Sequence, residues 1–264
     1  MVGRVGRYRR RVWATSIVDV ETGQLIEIVK DRTANEVIDW FKSRPGWWVL
    51  GISFGVLDLS GPYRKVFNDY LGWVHQIADP FHVIKNANQR LDECRRRVQP
   101  ETFGHRGRKD DPLYGIRRLL TMAEERLDVR APDKIVDRLA EGDPRGEVQW
   151  AYEAKEAVRD ICAITDPVET VDTVDELVDI MTDEAFPPGV NQLGRMLDTW
   201  KVQITNWHRR RVSNGPTEGA NNMIKLANRI GFGFRKFRNY RVRALLYGGK
   251  PNWDLLDNLT LSPA

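Results

Sequence analysis

The chain lacks any run of eighteen apolar residues, holds only two cysteines, and has a single acidic side chain between Lys201 and Lys250. Each shortage excludes something. Without a long apolar run no helix is expected to span a bilayer, and no secretory signal precedes Trp13. Cys94 and Cys162 stand alone, with no C-x-x-C pair and no histidine at ligand spacing. That argues against a zinc site or a disulfide framework and fits a reducing cytoplasm. No internal repeat is evident. The 264 residues are enough to bury a real core, as one large domain or a domain with a big insertion.

The scarcity of acid near the C-terminus is the most informative of these. Between Lys201 and Lys250 twelve Lys and Arg face Glu218 alone, a net charge of +11 (twelve minus one). The whole chain carries +4, so the remainder sums to −7. Such asymmetry is the electrostatic footprint of a nucleic-acid binder. Glu218 sits in Ser213-Asn214-Gly215-Pro216-Thr217-Glu218-Gly219, which reads as a helix start: Ser213 or Asn214 can cap, and Pro216 suits the first turn. A carboxylate there is favoured by the positive helix end. Two readings stay open for Glu218, a metal ligand within a DNA-holding surface or a first-turn glutamate on a basic helix.

Three regions separate along the chain. Residues 12–31 read as a hairpin of β-branched runs around Glu21-Thr22-Gly23. A helix is expected over 34–44, a buried strand over 51–57, a helix over 62–71 and a short strand over 73–78, an order that argues for an α/β sheet with parallel members. From about Pro80 to Trp207 the pattern is helical and charged. Arg95-Arg96-Arg97 is placed near the end of the first helix, Gly104–Asp111 reads as a mobile basic loop, and further helices are expected over 113–127, 133–141, 146–164, 172–182 and 190–208. The last region begins at Pro216 with a helix and runs into a basic, aromatic segment.

Asp58 follows an apolar strand directly, where ligands gather in open α/β sheets, although a lone Asp at a strand end also serves as a turn or cap. Asp79 and His82 lie three positions apart at a strand-to-helix junction. The bland readings are a helix N-cap for Asp79 and a partly buried, hydrogen-bonded ring for His82. Arg235, Lys236, Arg238, Arg241 and Arg243 alternate with Phe234, Phe237 and Tyr240. On a helix the rings are expected to pack inward with the cations outward; stacking of the rings on unpaired bases is the alternative. Lys225 and Arg229 lie about two and three turns beyond Glu218 on nearly its face, placed to grip phosphates.

Four motifs in order carry a resemblance. Val56-Leu57-Asp58-Leu59-Ser60-Gly61-Pro62-Tyr63, then Asp79-Pro80-Phe81-His82-Val83-Ile84-Lys85, then Ser213 through Lys225, then Gly233 through Arg243 together resemble the DDE transposases of bacterial insertion sequences, the ISL-three group. The resemblance implies an α/β, ribonuclease-H-like mixed sheet with a large all-α insertion before the last catalytic helix. On that division 1–96 is the N-terminal part of the catalytic domain, 97–207 the helical insertion, 208–250 the C-terminal catalytic helix with a basic DNA-binding segment, and 251–264 a tail. It implies Asp58 and Glu218 as metal-binding catalytic acids and Asp79 and His82 as accessory residues. Two Mg²⁺ or Mn²⁺ ions would support nicking at transposon ends and strand transfer into target DNA. The active form would be a homo-oligomer. The family's first acid belongs to a strand upstream of the hairpin, and this chain has no acid before Asp19, itself read as hairpin-turn chemistry. The expectation is therefore an N-terminally truncated, catalytically impaired transposase, with a non-catalytic DNA-binding remnant as the alternative.

Overall fold

The computed structural model describes residues 13–251, so Met1–Val12 and the expected tail from residue 252 onward lie outside the described residues. The chain forms two compact units, one from 1–74 together with 212–264 and the other from 75–211. The first unit opens with strands β1 (Ala14–Asp19) and β2 (Gln24–Lys30), paired antiparallel from Ala14↔Lys30 to Asp19↔Gln24. Asp19 closes the turn, its carboxylate accepting from the Glu21 N–H at 2.9 Å and the Thr22 hydroxyl at 2.7 Å. Ile17 pairs Glu27 but Val18 pairs Leu25, so Ile26 is an extra residue on β2. This bulge shifts the period-2 alternation and lets Leu25 and Ile28, three apart, enter one apolar cluster.

Helices α1 (Ala34–Lys42) and α2 (Gly46–Leu50) follow, then strand β3 (Phe54–Leu57) and helix α3 (Gly61–Tyr70). The sequence pattern reads a helix to Arg44 and a strand from Gly51. Pro45 breaks the helix instead, and the Trp47-Trp48-Val49 run, apolar enough for a strand, makes a turn of helix. Val37, Ile38 and Phe41 of α1 pack with Val49, Val66, Leu71 and Val74 in the first core cluster.

The second unit begins with β4 (His75–Ala78) and the long helix α4 (Pro80–Phe103). Arg95-Arg96-Arg97 lies in the C-terminal part of α4, where Arg95 and Arg96 pair with Asp92 and Arg97 with Glu101 and Glu147. Gly104–Asp111 forms no helix or strand, but it is tied down: the Asp111 carboxylate accepts from the Arg108 N–H (2.6 Å) and from Gln99 (3.2 Å). Then come α5 (Pro112–Gly115), α6 (Arg117–Thr121), a 3-10 turn at Glu124–Arg126, α7 (Ala131–Gly142), α8 (Glu147–Ile161), α9 (Pro167–Met181) and α10 (Pro188–Arg210). The one helix expected over 113–127 is thus three short pieces. In the core of this unit α4 packs on α8 and α10, and α9 on α10. Asn206 of α10 donates to the Gln76 carbonyl at 3.0 Å and fastens β4 beside the α4 start.

The chain returns to the first unit with α11 (Gly215–Ile230) and α12 (Phe237–Gly248). Ala220 and Ile224 of α11 and Ala244 of α12 bury against Leu25 and Ile28 of the hairpin. Phe237 and Tyr240 pack on the same cluster, as expected of the rings. Phe234 lies before α12 rather than on it, its ring folded against Gly231.

Candidate active site and nucleic-acid face

In the first unit β3 delivers Asp58. The chain turns sharply behind it, since Leu59 takes φ 20°, outside the α and β basins. The Asp58 carboxylate accepts a hydrogen bond from the Asn214 side-chain amide, 156 residues away. Asn214 occupies the N-cap of α11 and is buried, yet its side chain makes no capping bond. Its carbonyl instead starts the helix by accepting from the Glu218 N–H at 3.0 Å. Asp58 is therefore held at the N-terminus of the helix whose first turn carries Glu218. That end is positively polarised and favours carboxylates. Glu218 itself is exposed to solvent.

A cavity of about 620 Å³ opens here, lined by β1, by β3 as far as Asp58, and by Asn214, Thr217 and Asn221 of α11. Phe41, Trp48 and Phe67 give it an apolar wall, and Asp19, Glu21 and Asp58 add carboxylates. Ser16 of β1 donates to the Asn221 side-chain carbonyl at 2.8 Å, which fixes α11 across the hairpin. Among the described residues no three of His, Cys, Asp and Glu gather closely enough to hold a metal by themselves. The donor chemistry of Asp58 and Glu218, oxygen only, nonetheless suits Mg²⁺ or Mn²⁺, which keep several waters and need few carboxylates. Thiol chemistry has no footing, because burial pushes both Cys94 and Cys162 up to about 11.

Asp79 and His82 belong to the second unit. Asp79 is the N-cap of α4, only 3 % exposed, and its side chain makes no capping bond. The carboxylate accepts from His82 Nδ1 at 2.8 Å, one turn along. That bond fixes which ring nitrogen carries a proton and which way the ring faces.

The cations divide. Lys225 and Arg229 on α11, Arg235 and Lys236 before α12, and Arg238 and Arg243 on it are all exposed. Arg241 is different. It grips the buried Glu27 of β2 with two nitrogens, Nε lying 2.6 Å from Oε1. Glu27 also accepts from the Ile28 N–H at 2.7 Å and from Trp40 Nε1 at 3.2 Å, so one carboxylate ties β2, α1 and α12 together. Burial raises the Glu27 pKa, but these hydrogen bonds and the Arg241 charge outweigh it and hold the group below its usual 4.5. Neither this anchor nor the Asn214 bond to Asp58 had a sequence signal, because both join segments far apart along the chain.

Comparison with known proteins bears on the whole site. A family profile described as "Transposase", that of the ISL-three DDE enzymes, matches residues 6–244. An "ATP-dependent protease" of Lactococcus lactis subsp. lactis is 31 % identical over 121 residues, which is 44 % of this chain and 34 % of that protein. The chain thus matches about a third of the length of this curated relative. No solved structure matches. With a profile match that runs from before the hairpin to α12 and takes in all four motifs, the chain belongs to the ISL-three group of DDE transposases.

Proposed function

We propose that this chain carries the catalytic centre of a DNA transposase, acting in metal-dependent nicking at insertion-sequence ends and in strand transfer to target DNA. One observation carries the reading: Asp58 is bonded to the N-cap residue of the helix whose first turn bears Glu218. Asp58 and Glu218 would hold Mg²⁺ or Mn²⁺. The metal would supply charge for in-line phosphoryl transfer, activating the attacking oxygen and stabilising the leaving one. Asn214 holds the Asp58 carboxylate in place, and the Asp79–His82 pair acts as an accessory element that positions DNA or the site. The fold reading is ribonuclease-H-like. Its support is the order of hairpin, β3, α3 and β4, followed by a helical segment and then α11. The helical stretch assigned to 97–207 lies within the compact unit 75–211.

DNA would lie along the exposed Lys225, Arg229, Arg235, Lys236, Arg238 and Arg243. Such contacts are salt-sensitive and largely independent of sequence. Among the described residues no helix is long and apolar enough to cross a membrane. Paired cleavage at two ends would call for at least a dimer.

Two carboxylates make a weaker ligand set than three, so nicking by the 264-residue chain alone is expected to be slow. The test is nicking of supercoiled plasmid with Mg²⁺ or Mn²⁺, comparing the wild type with Glu218→Gln and Asp58→Asn. Metal-dependent nicks lost in both variants support the reading. Robust nicking would overturn the expectation of slow activity. Salt-dependent binding unchanged by either substitution, with no cleavage under any metal, would make the chain a non-catalytic DNA binder.

A further inference from the structure

Helix α11 ends in a hydrogen-bonded turn with the wrong residue in it. The Gly233 N–H donates to the Asn228 carbonyl at 2.9 Å and the Phe232 N–H to the Arg229 carbonyl at 3.1 Å. These are the two bonds of a Schellman motif, whose left-handed position belongs to glycine because a side chain there is strained. In this chain that position is Phe232, at φ 51°, with glycines at 231 and 233 on either side. Phe232 is also 100 % exposed. The motif's usual apolar contact joins the residue after the left-handed one to the third from the helix end, here Gly233 and Asn228, so the phenyl ring does not serve it. A lone exposed apolar residue needs no explanation. A bulky ring held fully outward by a backbone conformation it disfavours does need one.

The surroundings say what the ring meets. Residues 225–243 hold seven Lys and Arg and no acid. Arg229, Arg235, Lys236 and Arg238 make no ion pair among the described residues, whereas Arg241 is engaged by Glu27. Beneath the turn the Phe234 ring lies so close to Gly231 that an added Cβ would come within 2.6 Å of it, which braces the turn. Phe234, Phe237 and Tyr240 are folded together, with ring centroids 6.0 Å apart in the Phe234–Tyr240 and Phe237–Tyr240 pairs, leaving Phe232 as the outward ring of this segment. The complement to an exposed flat apolar face in a segment of exposed cations is a polyanion that offers flat apolar faces of its own.

We propose that Phe232 stacks on an unpaired or unstacked base of DNA held by the flanking cations, so that the α11–α12 turn prefers DNA whose helix is locally open. The proposal rests on the DNA-binding reading above. Base stacking on an aromatic side chain is sequence-tolerant and, by alanine substitution, is worth roughly a 5- to 160-fold change in binding.

The experiment measures binding of the 264-residue chain to two short labelled duplexes, one fully paired and one with a single T·T mismatch. The variants are Phe232→Gly, Phe232→Trp and the pair Arg235→Ala/Arg238→Ala, and melting temperature is recorded for each. The expected result is tighter binding of the mismatched duplex by the wild type. Phe232→Gly should lose that preference with an unchanged or raised melting temperature, since glycine suits the left-handed position, and Phe232→Trp should keep it. Arg235→Ala/Arg238→Ala should weaken both duplexes alike. Equal binding of the two duplexes by the wild type, or a preference intact in Phe232→Gly, would overturn the stacking proposal and leave the DNA-binding reading standing. Failure of the wild type to bind either duplex at low salt would remove both.

Discussion

Arg241→Ala should damage the fold of the first unit more than its affinity for DNA. The Glu27 side chain is 8 % exposed and that of Arg241 40 %, so the carboxylate has paid most of its desolvation while the guanidinium keeps part of its water. Removing one partner of a buried pair costs about 3–5 kcal/mol. The half-exposed arginine screens the attraction, and the Ile28 and Trp40 donors remain, so about 2 kcal/mol is expected. The assay is urea unfolding followed by tryptophan emission, to which Trp40 reports directly through its bond to Glu27. A double-mutant cycle with Glu27→Gln should give a coupling of about 1–2 kcal/mol.

The pH dependence supplies a second readout. The folded Glu27 pKa lies below 4.5, so its contribution is complete above that pH and is lost as pH falls through the lower folded value. In Arg241→Ala the arginine's hydrogen bond and charge are lost while the Ile28 and Trp40 donors remain, so the folded pKa should rise from that of the wild type and the loss of stability in acid should be smaller. A coupling within about 0.5 kcal/mol of zero would refute the anchor. So would an unchanged urea midpoint accompanied by weakened DNA binding, which would return Arg241 to the DNA face.

Three further outcomes are expected. His208 of α10 is buried, and burial holds its pKa below 6.5 despite the bond from Nδ1–H to the Ile164 carbonyl at 3.0 Å. The second unit should therefore lose stability as pH falls below 6.5, seen as lower amide protection factors after correction for the intrinsic exchange rate, and His208→Asn should flatten that slope; an unchanged slope would exclude His208 as its source. At Gly55 an added Cβ would lie 2.3 Å from the Phe67 ring, so Gly55→Ala should cost about 1–3 kcal/mol, with partial rescue by Phe67→Leu. A denaturation midpoint that does not move would mean the ring swings freely into the cavity. Alanine at Lys225, Arg229 or Arg235 should each lower the slope of log affinity against log salt by about one, whereas Arg241→Ala should leave it unchanged.

By itself the sequence determined the family, the positions of most elements and the cationic character of the C-terminal segment. These depend on local information: the order of four motifs, apolar periodicity, and the concentration of charge within fifty residues. It also located Asp58, Glu218, Asp79 and His82 at element ends, because strand-to-turn and turn-to-helix junctions have local signatures. It did not separate capping from long-range bonding. Asn214 and Asp79 both stand at N-cap positions, and in both the side chain turns elsewhere, to Asp58 and to His82. Nor did it separate one arginine from its neighbours. Arg241 and Arg238 look alike in a basic run, but only Arg241 meets a buried carboxylate, and that partner lies 214 residues away. The same holds for the rings: Phe234, Phe237 and Tyr240 fold together while Phe232 is turned outward by a helix-ending bond pattern. Which side chain is used for packing and which is left for a ligand depends on what the fold brings opposite it. Only tertiary structure decides that, because the free energy of such a pairing resides in burial and distance rather than in either residue alone.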